Sequence, residues 1–209
     1  MKRIILVTGG QRSGKSTYAE KLALDMAAGE KAVYMATSRI WDEEFAHRVQ
    51  LHKERRGPQW INIEEEKHLG RHDVAGKVVL IDCVTLWSTN FFFDQSTDML
   101  PGSKSGNEMN PAAMVSKGEC STMDASQAIR SATLVERTLE QIKEEFERFT
   151  AQDATFIFVT NEIGLSGVSE NNVQRQFTDL LGWLNQYIAS RADEVVFMIS
   201  GIPVKIKQQ

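Results

Sequence analysis

Short apolar runs alternate along the chain with stretches of helical periodicity. Residues 4–8 form an apolar run with the length and flanks of a buried strand, and residues 16–28 follow with helical spacing. Strands that alternate with helices predict a mainly parallel sheet covered on both faces. The other predicted elements are strands at 32–36, 78–81 and 155–159, helices at 41–56, 131–149 and 173–191, and a closing hairpin from 195–199 and 204–206.

One stretch, residues 94–126, breaks this alternation. It is rich in Ser, Gly, Met and Asn and has little periodicity. We interpret it as a mobile insertion within one domain that spans residues 1–209. The expected fold class is α/β, with a mainly parallel sheet flanked by helices and a C-terminal β-hairpin.

Composition limits which binding partners and which cellular compartment we expect. The chain has 209 residues and a net charge of −4, which argues against nucleic acid as the main partner. Its two cysteines, Cys83 and Cys120, are too few for a disulfide framework or a four-cysteine zinc site. No apolar run approaches the length of a membrane span. We therefore expect a cytoplasmic protein without a membrane span.

The segment "GGQRSGKS", residues 9–16, matches the phosphate-binding pattern G-x-x-x-x-G-K-[ST] between a predicted strand and a predicted helix. Backbone N–H groups of such a loop surround phosphate oxygens, and the helix N-terminus adds partial positive charge. Lys15 is expected to reach the β- and γ-phosphates, and Ser16 to offer its hydroxyl to Mg²⁺. The expected domain is therefore a single P-loop NTPase domain of RecA-like type. A glycine-rich turn without a ligand is the alternative. The predicted nucleotide-binding residues here are Gly9, Gly10, Gln11, Arg12, Ser13, Gly14, Lys15, Ser16 and Thr17.

An acidic side chain is expected at the end of a neighbouring strand, where it would hold the Mg²⁺ shell. Asp82 ends the run "VVLID" and is the candidate, together with Ser16, for the metal site. The alternative for Asp82 is a turn-forming role, which is common for an aspartate at a strand end.

Other P-loop classes fit the sequence less well. We find no N-K-x-D-type guanine motif, and the D-x-x-G match at residues 179–182 lies inside a helical pattern. Motor and strand-exchange ATPases are usually larger. Small-molecule kinases and their relatives remain, with a non-catalytic nucleotide-binding regulator as the alternative from another class.

The chain resembles the bifunctional adenosylcobinamide kinase and adenosylcobinamide-phosphate guanylyltransferase family of cobalamin biosynthesis. The resemblance runs through "VTGGQRSGKS", "YMATSRIWDEEFAHRVQLHKERRGPQWINIEE", "VVLIDCVTLWSTN", "VTNEIGLSGVSENNVQRQFTDLLGWLNQ" and "ADEVVFMISGIPVKIK". It implies phosphorylation of adenosylcobinamide with ATP or GTP, followed by GMP transfer from GTP. It also implies a corrinoid substrate and a homo-oligomer, and it suggests a trimer. The longer insertion and Ser169, in place of the family's usual Pro, depart from the family pattern.

Two histidines, His47 and His52, lie in the predicted helix 41–56. At about 100° per residue His52 falls at the boundary of an apolar seam, about 140° from His47. From this pattern alone, a structural or idle histidine is the favoured interpretation. The family resemblance favours a different interpretation of His52. The segment "RVQLH" matches the family's R-[IV]-x-x-H segment, whose histidine accepts GMP. The resemblance therefore implies a guanylyl-histidine intermediate at His52.

Several other polar residues are weaker candidates. Glu64, predicted to bind nucleotide, and Asn90 match family positions without an assigned role. Asn161 and Glu162 follow a strand on the expected ligand edge, where turn formation is the alternative. Two further pairs have helical i, i+4 spacing: His68 with His72, interpreted as surface residues, and Arg175 with Asp179, interpreted as an ion pair.

The predicted insertion leads to a testable expectation about dynamics. Amides of residues 94–126 should exchange rapidly with deuterium, because few apolar residues can anchor the segment. Hydrogen–deuterium exchange of the nucleotide-free protein, read by mass spectrometry, measures this. Strong protection across the whole segment would contradict the prediction and indicate a packed subunit contact.

Overall fold

A seven-stranded sheet organises the part of the chain that the computed structural model describes, which is residues 2–39, 56–98 and 125–208. Neighbouring strands in it run parallel except for the last pair, which forms an antiparallel hairpin. The strands are β1 (Arg3–Gly9), β2 (Ala32–Ala36), β3 (Trp60–Glu64), β4 (Val78–Asp82), β5 (Thr155–Val159), β6 (Glu194–Ile199) and β7 (Ile202–Gln208).

The strand order is β3-β2-β4-β5-β1-β6-β7. Strand β5 therefore separates β1, which leads into the phosphate-binding loop, from β4, which ends on Asp82. This is the RecA-like arrangement of P-loop domains. Since the strands are parallel, the loop and Asp82 lie at the same carboxyl edge of the sheet, where open α/β sheets bind ligands.

Helices cover both faces of the sheet. The helix after the loop packs on one face, and the three later helices contribute to the apolar cluster on the other. Alternation along β1 supplies both faces, since Ile4 and Leu6 join one cluster while Ile5 and Val7 join the other. The helices are α1 (Lys15–Ala27), α2 (Val84–Asp98), α3 (Ala125–Thr150) and α4 (Asn172–Arg191), with short 3-10 helices at Leu69–Arg71 and Ile163–Ser166.

The prediction of an α/β fold with a parallel sheet and a C-terminal hairpin is confirmed. Strand β3 was not predicted, although its first residue, Trp60, is buried and packs edge-to-face against Tyr34 of β2. Most of β3 is exposed because it lies at the edge of the sheet. An exposed edge strand leaves only a weak apolar signal in the sequence.

Helix α2 was also missed, and it corrects the start of the predicted insertion, while α3 takes in its last two residues, 125 and 126. Residues 94–98 belong to this helix, and Asp94 accepts hydrogen bonds from Arg39 (2.7 Å) and Lys67 (3.0 Å). The helical pattern is hidden because buried polar residues, Ser88 and Asn90, share the helix with the buried aromatic rings of Trp87 and Phe92. Residues 99–124 lie outside the described part of the chain, so their mobility stays a prediction.

The predicted helix at 41–56, except for its last residue, also falls outside the described residues, and His47 and His52 fall with it. In the ranges that the structure does describe, no helix combines the length and apolar character needed to cross a membrane.

The packing of α3 on the sheet gives a stability prediction. Phe146 is 1% exposed, and its ring lies 5.1 Å from that of Phe158 in β5 and 5.8 Å from that of Tyr187 in α4. Phe146→Ala should lower the free energy of unfolding by about 3–5 kcal/mol, because it leaves a cavity between these elements. Urea denaturation measures the loss. Glu140→Ala on the exposed face of the same helix should change stability by about 0.5 kcal/mol or less.

Candidate active site

The loop between β1 and α1 is shaped by positions that only glycine fills easily. A Cβ on Gly9 would lie 2.5 Å from the carbonyl oxygen of Met198, and Gly9 has a φ of 150°. Gly14 has a φ of 91° and faces the Cα of Gly201 at the tip of the β6–β7 hairpin. The hairpin also donates the Gly201 N–H to the Ser13 carbonyl at 3.0 Å. Strand β6 and the turn of the β6–β7 hairpin therefore pack against the loop and support its conformation.

Lys15 places its ammonium group inside this loop. Its Nζ donates to the Gly10 carbonyl at 2.6 Å and lies 3.5 Å from the Ser13 hydroxyl, and the residue is only 7% exposed. Burial lowers the pKa of Lys15, while the negative charge of Asp82 opposes this shift. A cation held in a concave loop at a helix N-terminus is suited to bind the phosphates of a nucleotide.

Asp82 lies at the end of β4, and its negative charge raises the pKa of Lys15. Its Oδ2 accepts a hydrogen bond from the Tyr34 hydroxyl at 2.5 Å. Tyr34 is 1% exposed, and its pKa is raised far above the usual value by burial first and by Asp82 second. Sequence reasoning missed Tyr34. A tyrosine inside the otherwise apolar run "AVYMA" was the available signal, because a buried phenol needs a hydrogen-bond partner.

The backbone after Asp82 is fixed by Thr37, another residue that sequence reasoning missed. The buried Thr37 hydroxyl donates to the Cys83 carbonyl (2.8 Å) and accepts from the Cys83 N–H (2.9 Å), while its own N–H donates to the Asp82 carbonyl (3.3 Å). Cys83 is buried, and burial raises its pKa to about 12. The thiol is therefore protonated near neutral pH, and Cys83 serves the packing of this turn.

The two residues predicted to bind Mg²⁺ supply oxygen atoms at one edge of the sheet. Ser16 stands in the first turn of α1 and Asp82 at the end of β4. Within the described residues, the Tyr34 hydroxyl donates to Oδ2 of Asp82, so Oδ1 remains able to contact a metal ion. One carboxylate and one hydroxyl, with phosphate and water oxygens completing the shell, form the donor set that Mg²⁺ prefers. These residues fit the metal.

Glu162 belongs to a polar network beside the loop. Its carboxylate accepts from the Thr8 hydroxyl at 3.3 Å, and its N–H donates to the Gly9 carbonyl at 3.0 Å. The buried Asn185 of α4 donates to the Asn161 carbonyl at 3.1 Å. This network ties β5 and α4 to the base of the phosphate loop, so Asn161 and Glu162 lie at the expected ligand edge.

Glu64 lies far from the loop across the sheet, and Asn90 links two segments that follow strands. Glu64 ends β3, which is four strand spacings, about 19 Å, from β1 across the sheet. Asn90 is fully buried, and its Nδ2 donates to the Thr37 and Glu66 carbonyls at 2.8 and 2.9 Å. Asn90 therefore joins the segments that follow β2 and β3. The predicted contact of Glu64 with nucleotide stays a prediction.

The interpretation of Arg175 and Asp179 as an ion pair was wrong. Arg175 Nη1 donates instead to the carbonyls of Ser169 (2.9 Å) and Glu170 (2.7 Å). The Ser169 hydroxyl accepts from the Asn171 N–H at 3.1 Å and donates to Gln174 at 2.9 Å. These hydrogen bonds order the turn before α4, which proline would otherwise stiffen by fixing φ.

The remaining histidines show no metal site. His72 Nε2 lies 3.2 Å from Oε2 of Glu65, and His68 Nδ1 lies 3.9 Å from Oε2 of Glu145. Among the residues at 2–39, 56–98 and 125–208, no group of three or more His, Cys, Asp or Glu side chains could hold a metal ion. His52, the predicted catalytic histidine, lies outside those ranges.

Comparison with known proteins identifies the family. A family model described as cobinamide kinase / cobinamide phosphate guanyltransferase (CobU) matches residues 5–206. The chain belongs to this family. The phosphate loop, Asp82 and the turn of the hairpin that supports the loop fall within the matched residues of this CobU-family chain.

Curated relatives agree with the CobU family over almost the whole length. The bifunctional adenosylcobalamin biosynthesis proteins CobU of Escherichia coli and Salmonella typhimurium are each 36% identical over 208 residues, covering 98% of this chain and 99% of the relative. The bifunctional adenosylcobalamin biosynthesis protein CobP of Pseudomonas aeruginosa is 32% identical over 206 residues, covering 97% and 96%.

The buried position of Lys15 leads to a prediction for nucleotide-dependent activity. Lys15→Ala should lower kcat by roughly 100-fold or more, because the phosphoryl group in the transition state loses its main cation. Steady-state kinetics with ATP and with GTP measure the loss, and circular dichroism checks the fold. Lys21→Ala, a control on the exposed side of α1, should keep its activity. Turnover close to that of the unmodified protein in Lys15→Ala would refute the assignment of the phosphate loop.

Proposed function

We propose that this chain phosphorylates a hydroxyl of adenosylcobinamide with ATP or GTP and then transfers GMP from GTP to the new phosphate group. The products of the second step are adenosyl-GDP-cobinamide and pyrophosphate. The observation that carries the proposal is the buried Lys15 ammonium, which lies inside the phosphate loop and interacts electrostatically with Asp82. Membership of the CobU family supports both steps.

In the kinase step the loop and Lys15 bind the phosphates of the nucleotide. The substrate hydroxyl oxygen attacks the γ-phosphorus and gives up its proton to water. The bond from this phosphorus to the β–γ bridging oxygen breaks, and the nucleoside diphosphate leaves. Lys15 stabilises the charge that develops on the phosphoryl oxygens, and its low exposure strengthens that interaction. Ser16 and Asp82 would hold Mg²⁺, which supplies charge neutralisation when it is bound.

In the second step His52 acts as the nucleophile. A neutral ring nitrogen of His52 attacks the α-phosphorus of GTP, pyrophosphate leaves, and GMP is held through a P–N bond. An oxygen of the cobinamide phosphate then attacks the same phosphorus and releases the histidine. The match of "RVQLH" to the family's histidine segment supports this role, and the cationic neighbours Lys53, Arg55 and Arg56 would attract the triphosphate.

The setting of the reaction follows from the same reasoning. A corrinoid and nucleotides are the expected partners, and no nucleic acid is involved. We propose a cytoplasmic homo-oligomer, for which a trimer is suggested by the family resemblance, with Mg²⁺ as the metal. Gel filtration with multi-angle light scattering measures the subunit number.

His52 gives the sharpest test of the proposed function. GTP labelled at the α-phosphate should leave covalent label on the protein, and the label should be stable in mild base and released in acid, as expected for a P–N bond. His52→Ala should abolish the labelling and the GMP transfer while phosphorylation of adenosylcobinamide continues. Tryptic mapping of the labelled protein identifies the modified residue.

His47→Ala is the matched control, since His47 projects from another side of the predicted helix. It should keep both the label and the GMP transfer. Label retained by His52→Ala, or lost from His47→Ala, would contradict the assignment of His52. Phosphorylation without any protein label would favour a P-loop kinase that lacks the guanylyltransferase step.

A further inference from the structure

Tyr34 is a buried phenol in the middle of β2. The residues on either side of it in the strand, Val33 and Met35, are apolar and buried, and Tyr34 itself is 1% exposed. A hydroxyl in such a place costs free energy unless it is hydrogen-bonded. Its hydrogen-bond partner within the described residues is Oδ2 of Asp82, 2.5 Å away. A phenylalanine at position 34 would fill the same space, so packing alone does not explain the hydroxyl.

The ring of Tyr34 is held from two sides. Trp60 of β3 packs edge-to-face against it, with 5.4 Å between ring centroids and 81° between the planes. The guanidinium carbon of Arg56 lies 3.4 Å from the ring centroid, and Arg56 Nη1 donates to Asn62 Oδ1 at 3.2 Å. With the ring fixed by these contacts, the hydroxyl has a defined place at the end of β4.

The partner of this hydroxyl lies at the same edge of the sheet as the phosphate loop. Asp82 ends β4, and only β5 separates β4 from β1, the strand that leads into the loop. The Asp82 main chain is fixed separately, since the Thr37 N–H donates to its carbonyl at 3.3 Å. Thr37 therefore fixes the backbone of Asp82, and Tyr34 fixes its side chain.

We propose that Tyr34 is a positioning residue for the Asp82 carboxylate, holding Oδ2 so that Oδ1 is presented to the metal and phosphate site. The inference rests on the proposed function, in which Asp82 helps to hold Mg²⁺. A phenol suits this task because it is a neutral donor: it orients the carboxylate and leaves the full negative charge for the cation. Residues that orient metal ligands in this way contribute to metal affinity without touching the metal.

The test measures metal binding directly and does not depend on turnover. Mn²⁺ replaces Mg²⁺, and electron paramagnetic resonance of free Mn²⁺ follows its binding to the protein with a non-hydrolysable ATP analogue. Tyr34→Phe should weaken Mn²⁺ binding roughly tenfold, the lower end of the range for lost partners of metal ligands. Binding of a fluorescent ATP analogue in EDTA should be unchanged, because the loop and Lys15 are intact.

Tyr187→Phe is the matched control. Tyr187 also donates to a carboxylate, Oε1 of Glu147 at 2.5 Å, but on α4 and away from the loop. Tyr187→Phe removes the same kind of hydrogen bond and should leave Mn²⁺ binding unchanged. Thermal unfolding of both variants shows whether each remains folded under the conditions of the titration.

A double-mutant cycle separates positioning from general destabilisation. If Tyr34 acts through Asp82, Tyr34→Phe should have no further effect on Mn²⁺ binding in an Asp82→Asn background. Equal weakening by Tyr34→Phe in both backgrounds would overturn the inference. Weakened binding in Asp82→Asn together with unchanged binding in Tyr34→Phe would overturn it and leave the metal assignment intact. Unchanged binding in Asp82→Asn would overturn both.

Discussion

Parallel pairing of β1, β5 and β4 is the constraint on which the site depends. It brings the carboxyl ends of β1 and β4 to one edge with a single strand between them, a separation of about 10 Å. Lys15 and Asp82, far apart in the chain, then interact electrostatically across that gap. A slip of one residue between these strands would turn Asp82 toward the other face of the sheet, because side chains alternate along a strand.

The polar groups at this edge are stabilised by partners from several elements. The Asp82 side chain is held from β2 through Tyr34, and the turn after Asp82 is held by Thr37. The loop itself is backed by the β6–β7 hairpin through Gly201 and Met198. Tyr34 and Thr37 are buried, so their hydrogen bonds matter for stability, since an unpaired polar group in such a place costs about 1–3 kcal/mol. Pre-organisation of this kind lets a few side chains serve phosphoryl transfer, whose catalysis depends largely on positioning and charge.

The two steps of the proposed function make different demands on the chain. Phosphoryl transfer needs the loop, Lys15 and Asp82, which the fold brings together at the carboxyl edge of the sheet. Guanylyl transfer adds a nucleophile, for which we propose His52, in the segment between β2 and β3. Arg39 and Arg56 flank that segment. Arg39 forms ion pairs with Glu66 and Asp94. Arg56 stacks on the Tyr34 ring and donates a hydrogen bond to Asn62. The connection starts at the edge of the sheet that carries the phosphate loop.

The sequence by itself determined most of the described strands and helices, the parallel sheet, the phosphate loop and the family, because periodicity and the residues around Lys15 are local signals. It missed α2, whose buried Ser88 and Asn90 interrupt the apolar pattern, and it paired Arg175 with Asp179 when loop carbonyls were the better acceptors. Only the tertiary structure decided that Tyr34 meets Asp82 and that Gly14 meets Gly201. These contacts join residues from different strands and turns, and their geometry comes from strand order and register, which no short stretch of sequence encodes.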